Sequence, residues 1–138
     1  MKKILMVTLL HLIVVILIDL FSLVRILNIL SYFLHISRDE SLGKDVLKLT
    51  CYYNSMISQS LLKNPTCLEA AFMLNFFMNR QNIPTEFCLG ITKSEGRLTA
   101  HAWLTFRGGI LGKQFQVDEF IQVFSSSNIG SIEVCRKF

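Results

Sequence analysis

From Ile4 to Leu34 the chain is almost uniformly apolar, with Asp19 and Arg25 its only charges. Wound as a helix at about 100° per residue, Thr8, His11, Asp19, Ser22 and Arg25 gather within roughly 120°. The rest of the circumference is Leu, Ile, Val and Phe. The uncharged run after Lys3 ends at Ile18 after 15 residues, short of the roughly 20 a bilayer span needs. Extending it to Val24 puts Asp19 inside, at about 2.5–3.5 kcal/mol. One or two helices packed on a domain, with a narrow wet stripe, fit this pattern best. A helix lying in a membrane interface and a true span are the alternatives. His11 and His35 read as helix-surface or satisfied core histidines.

Ser37 to Gly43 is the first polar break. Ser37 or Asp39 is expected to cap a second helix from about Leu42 to Leu62, burying Val46, Leu47, Leu49, Tyr53, Met56, Ile57 and Leu61. Asn64-Pro65 is expected to end it, because proline lacks an amide donor and disfavours helix in the preceding residue. Thr66 and Glu69 then form an S/T-x-x-E capping pattern. The third helix, to about Asn79, is apolar nearly all round and should be central. After Ile83-Pro84-Thr85 the period becomes two. Phe87, Leu89 and Ile91 alternate, as do Leu98, Ala100, Ala102, Leu104 and Phe106. Turn-rich Thr92 to Arg97 links these runs. Arg107-Gly108-Gly109 turns the chain towards Ile110-Leu111, Phe115 and Val117, which predicts an antiparallel meander. Ser125 to Asn128 reads as a loop and Ser131 to Arg136 as a last strand. Helices first and strands after predict an α+β fold. Residues 1–138 read as one domain with an apolar helical segment at 1–36.

Composition narrows the classes. The 138 residues are 51% hydrophobic and 17% charged, which excludes a disordered chain or a coiled coil. Seven Gly and two Pro exclude collagen-like sequence. The net charge is +4, but no Lys/Arg run exceeds two neighbours, so nucleic acid is not an expected partner. Cysteines 51, 67, 88 and 135 contain no C-x-x-C pair, and no histidine stands near them in sequence. A zinc site is therefore not expected. Lys2-Lys3 before an apolar run resembles the start of a signal peptide. No small-x-small cleavage site follows, so the segment reads as retained and the thiols as reduced.

Cys67 is the most suggestive residue for chemistry. In the first turn of a helix, unpaired amides and the macrodipole favour an anion, and the thiolate is the nucleophilic form. The same amides suit a developing oxyanion. A small buried hydrophobe at a helix start is the plain alternative. His101 alternates with Ala100 and Ala102 on a later strand. A cysteine at a helix start and a distant strand histidine form the pattern of a Cys-His pair. Alone, His101 reads as a polar-face histidine, and Cys88 as packing.

Four blocks together resemble a known family: Pro65-Thr66-Cys67-Leu68-Glu69-Ala70-Ala71, Gln81-Asn82-Ile83-Pro84-Thr85, Leu89-Gly90-Ile91 and Ala100-His101-Ala102-Trp103-Leu104. They are similar to the lasso-peptide leader peptidases of the transglutaminase-like cysteine protease superfamily, across about residues 64 to 111. The apolar N-terminal segment also looks like that of the stand-alone form. The resemblance implies a transglutaminase-like, papain-like core in which Cys67 is nucleophile and His101 is base and then acid. It implies a cytoplasmic peptidase, with 4–34 as a contact for a membrane surface. The precursor peptide would be its substrate. A separate leader-recognition protein and a lasso cyclase would be its partners. No cofactor is implied on this chain itself, and ATP dependence would enter through the cyclase. No leader-recognition domain is expected within the chain.

Two positions depart from the family pattern. Asn82 stands where the turn usually has Gly, which is minor because Asn tolerates turn angles. The family's Asp, twelve residues after the His, falls on Lys113, which cannot accept the imidazole N–H. Gln114 is the substitute if Arg107-Gly108 form the hairpin turn, since it then faces His101, and a side-chain amide oxygen can orient a histidine. Asp118 is the nearest downstream acid. The departure leaves a catalytically weak scaffold of the maturation complex as the alternative function. A small membrane protein with an incidental Cys-His pair is a third.

Overall fold

The computed structural model describes residues 1–22, 25–26, 45–111 and 119–126. Among these residues three helices, α1 (Lys2–Leu20), α2 (Val46–Ile57) and α3 (Cys67–Arg80), precede four strands, β1 (Glu86–Ser94), β2 (Arg97–Phe106), β3 (Gly109–Leu111) and β4 (Ile121–Ser125). This is the expected α+β order. The expectations that rest on His35, Ser37, Asp39, Lys113, Gln114, Phe115, Val117, Asp118, Cys135 and the strand Ser131 to Arg136 lie outside the described residues.

α3 forms where its local code says it should. The Thr66 side chain accepts from the Glu69 amide, and the Glu69 carboxylate accepts from the Thr66 amide, closing a capping box. Its buried positions, Ala71 to Asn75, Phe77 and Met78, surround the axis. The helix therefore has neighbours on both sides. Tyr53 of α2 stacks on Phe77 at 4.7 Å, and Phe87 of β1 stacks on Phe72 at 4.8 Å. Burying a large aromatic ring contributes roughly 1.5–3 kcal/mol, so these stacks account for much of the docking.

α2 departs from expectation at both ends. Asp45 caps it, accepting from the Lys48 amide, and it stops at Ile57, well before Asn64-Pro65. Leu47 and Leu61, expected to be buried, are 68% and 76% exposed. The segment after Ile57 is used otherwise. The Leu61 amide donates to Thr8 Oγ1 and the Ser60 hydroxyl meets His11, so this stretch leaves the helix to dock α1. That docking corrects the expected wet stripe in part: His11 is buried beside Val7 and Val14 and Thr8 is half-buried, while Asp19, Ser22 and Arg25 are exposed, as are Leu5, Leu9, Leu12, Ile13, Ile16 and Leu20.

The sheet order is β3-β2-β1-β4, antiparallel throughout. β1, β2 and β3 make the predicted meander. Its two links are two-residue turns, Glu95-Gly96 and Arg107-Gly108, all four residues at positive φ, the primed geometry that matches strand twist. β4 corrects the sequence reading, which had a loop beginning at Ser125. Alternation was a poor guide there, because Ile121 and Val123 are exposed and Ser125 is buried. β4 is instead held by pairing to β1, Cys88 opposite Ser125.

Candidate active site

Cys67 is the first residue of α3, and its thiol is exposed. Capping accounts for the Glu69 amide, and the Ala70 amide donates to Thr66 O. The Cys67 and Leu68 amides have no hydrogen-bond partner among the described residues. The start of α3 therefore offers an accessible sulfur beside two unused N–H groups, the combination that stabilises a thiolate and an oxyanion.

His101 sits mid-strand on β2, paired with Gly90 of β1. Its ring lies 6.2 Å from the Trp103 ring and 5.5 Å from that of Phe120. Burial among these rings pushes its pKa below the ordinary histidine value, which keeps the imidazole in its basic form near neutral pH. Gly90 is required beneath it: a Cβ there would stand 2.7 Å from Trp103 Cη2. Cys88 is buried, as expected of a packing residue, and burial raises its thiol pKa. Cys51 is exposed on α2.

The relative placement follows from the packing of α3 on the sheet. Asn75 donates to Thr85 and Phe72 stacks on Phe87, so α3 runs antiparallel to β1. Five helical residues back from Phe72 cover about 7.5 Å, or two to three strand residues beyond Phe87. That brings Cys67 roughly level with Leu89 and Gly90, whose partners are Ala102 and His101. Alternation puts Ala102 and Leu104 in the core with α3, and His101 and Trp103 on the other face. The observed pairing of Leu104 with Leu111 fulfils the turn condition under which Gln114 was expected to face His101. Gln114 itself is outside the described residues.

Sequence reasoning missed the most elaborate polar cluster, which surrounds Glu69. Its Oε2 accepts from the Thr66 amide at 2.7 Å and lies 3.3 Å from His11 Nε2, while Oε1 is 3.0 Å from Lys63 Nζ. The ring's other nitrogen, Nδ1, is 2.7 Å from Ser60 Oγ. Burial alone would raise the Glu69 pKa. Hydrogen bonds from Thr66, Lys63 and His11 outweigh it and bring the carboxyl down to about 2. The capping pattern announced Glu69, but nothing local announced His11, whose partner is 58 residues away. A second acid, Glu86, accepts from the Ser125 and Thr105 hydroxyls across β4, β1 and β2.

No group of three or more His, Cys, Asp or Glu among the described residues is placed to hold a metal. A cavity of about 510 Å³ opens beside the first turns of α1, lined by Met1, Lys3, Val7, Tyr52 and Met56 among others. None of the candidate residues lines it.

The chain belongs to the transglutaminase-like superfamily, whose family model matches residues 19–125. That superfamily often uses cysteine-based catalysis, and the match covers both Cys67 and His101. No curated protein and no solved structure matches the chain.

Proposed function

We propose that the chain is a cysteine endopeptidase that removes the leader from a ribosomally synthesised lasso-peptide precursor before a separate cyclase closes the macrolactam. The observation that carries this reading is Cys67, exposed at the start of a capped helix beside two unused amides, in a chain of this superfamily. The four sequence blocks around Cys67 and His101 supply the substrate class. In this mechanism His101, held neutral by burial, takes the thiol proton, and Cys67 Sγ attacks the scissile carbonyl carbon. The Cys67 and Leu68 amides receive the oxyanion. His101 then protonates the departing amine, and water hydrolyses the acyl-enzyme. The step requires the His101 ring to come within hydrogen-bond reach of Cys67 Sγ. Gln114 is the proposed orienting residue for His101, with Asp118 as the alternative. The leader would be presented by a separate recognition protein in the cytoplasm, and ATP would enter only through the cyclase.

The test is cleavage of a cognate precursor with its recognition protein present. Cys67→Ala and His101→Ala should each lower the rate by at least about a hundredfold, the usual scale for a nucleophile or general base. Full activity in Cys67→Ala removes the assignment of the nucleophile. A second reading, a non-catalytic subunit holding leader and cyclase together, is favoured by Lys113 at the family's acid position. It expects Cys67 to be alkylated no faster than Cys51, the other exposed thiol described.

A further inference from the structure

The Glu69 cluster joins three parts of the chain at the residue two places after Cys67. The carboxylate is 6% exposed and accepts only, so the His11 nitrogen facing it, Nε2, carries hydrogen. In the neutral ring Nδ1 then accepts from the Ser60 hydroxyl. His11 is completely buried. It thus ties α1 to the chain after α2 on one side and to the α3 capping box on the other. Lys63 approaches the second carboxylate oxygen from the connection into α3. A plain capping box needs the Thr66 amide alone. Here two further donors, one of them cationic, converge on the same carboxylate.

That arrangement bears on Cys67. An ionised carboxylate in the same helical turn opposes a second negative charge on the sulfur, because like charges disfavour each other's ionised form. Turned back onto the Thr66 amide and countered by Lys63, Glu69 can start the helix with less repulsion of a thiolate in the same turn. We propose that Lys63 and His11 are positioning residues for Cys67, holding Glu69 in its cap and offsetting its charge so that the neighbouring sulfur can be an anion. This deepens the peptidase reading and rests on Cys67 being the reactive thiol. By this proposal α1 is a working part of the site, since its one buried polar ring completes the clamp.

The test uses the full chain and iodoacetamide, with the modified peptides resolved by mass spectrometry. Alkylation is followed at Cys67 and Cys51 across pH. Lys63→Met keeps the aliphatic stem and removes the charge. It should slow alkylation of Cys67 near pH 7 by about threefold, the scale of one displaced charge at helix-turn distance, and leave Cys51 unchanged. Lys63→Arg should restore the rate. His11→Gln, which keeps a donor, should act less than His11→Phe. Should His11→Phe fail to fold, the Lys63 pair decides alone, because Lys63 lies half in solvent. A Cys67 profile unmoved by Lys63→Met overturns the proposal. Wild-type Cys67 no faster than Cys51 overturns the peptidase reading instead, so the two fail on different comparisons.

Discussion

Glu69 shows how one side chain can be read from sequence in part. Its role as third residue of a capping box is local, spelled out by Thr66 three positions earlier, and the structure reproduces it. Its ties to His11 and Lys63 are tertiary and left no trace in the pattern. The Glu69 pKa is lowered from 4.5 to about 2. Its ionised form therefore stabilises the fold fully above pH 4.5, and that contribution is lost as pH falls towards 2. The shift sets an upper scale of about 3 kcal/mol. His101 acts in the same sense at milder acidity: its folded pKa is lowered, so the unfolded chain takes up that proton first as pH falls through the ordinary histidine range. Urea midpoints measured from pH 7 to pH 2 should decline in both ranges. Glu69→Gln should lose stability at pH 7 and flatten the lower one, and an unaltered lower decline in that variant would show the carboxylate is not responsible.

At the scale of elements, legibility followed the locality of the code. α3 was readable to within a residue, because capping and all-round apolarity are written in its own sequence. The β1–β2 hairpin was readable from alternation and a Glu95-Gly96 turn that fixes its register. α2 was not, because Ser60 and Leu61 serve α1 and leave the helical path. β4 was not, because its outward residues are the apolar ones. His101 falls on the face of β2 that strand alternation predicts, with Trp103 and opposite Ala102 and Leu104; its relation to Cys67 depends on how α3 packs on the sheet, which no local pattern carries. Since α3 depends on its cap, Thr66→Ala should cost about 1 kcal/mol, read as a lower urea midpoint. An equal midpoint would mean that packing against Phe87 and Tyr53 holds the helix start unaided.

For the whole molecule, the distinctive arrangement is α1 with His11 buried and a broad run of Leu and Ile side chains turned out. Thr8 and His11 are satisfied within the protein, and the outer face presents Leu and Ile, with Asp19 exposed in the last turn. α2 and α3 pack along its inner side. Lys2 and Lys3 stand at its N-terminal end, Lys3 donating to the Tyr52 hydroxyl at 3.0 Å. The full chain should therefore sediment with vesicles containing anionic phosphatidylglycerol, and Leu9→Glu with Ile16→Glu should release it. Equal sedimentation of both proteins, or of neither, would remove the lipid assignment. The 58-position separation of His11 and Glu69 also sets an order of events during synthesis. α1 leaves the ribosome long before the carboxylate that will receive its imidazole has been made. Translation at about 5–20 residues per second leaves that interval at several seconds, during which an oily helix must wait with its histidine unanswered, a period in which a chaperone or a nearby bilayer has its best chance to take hold.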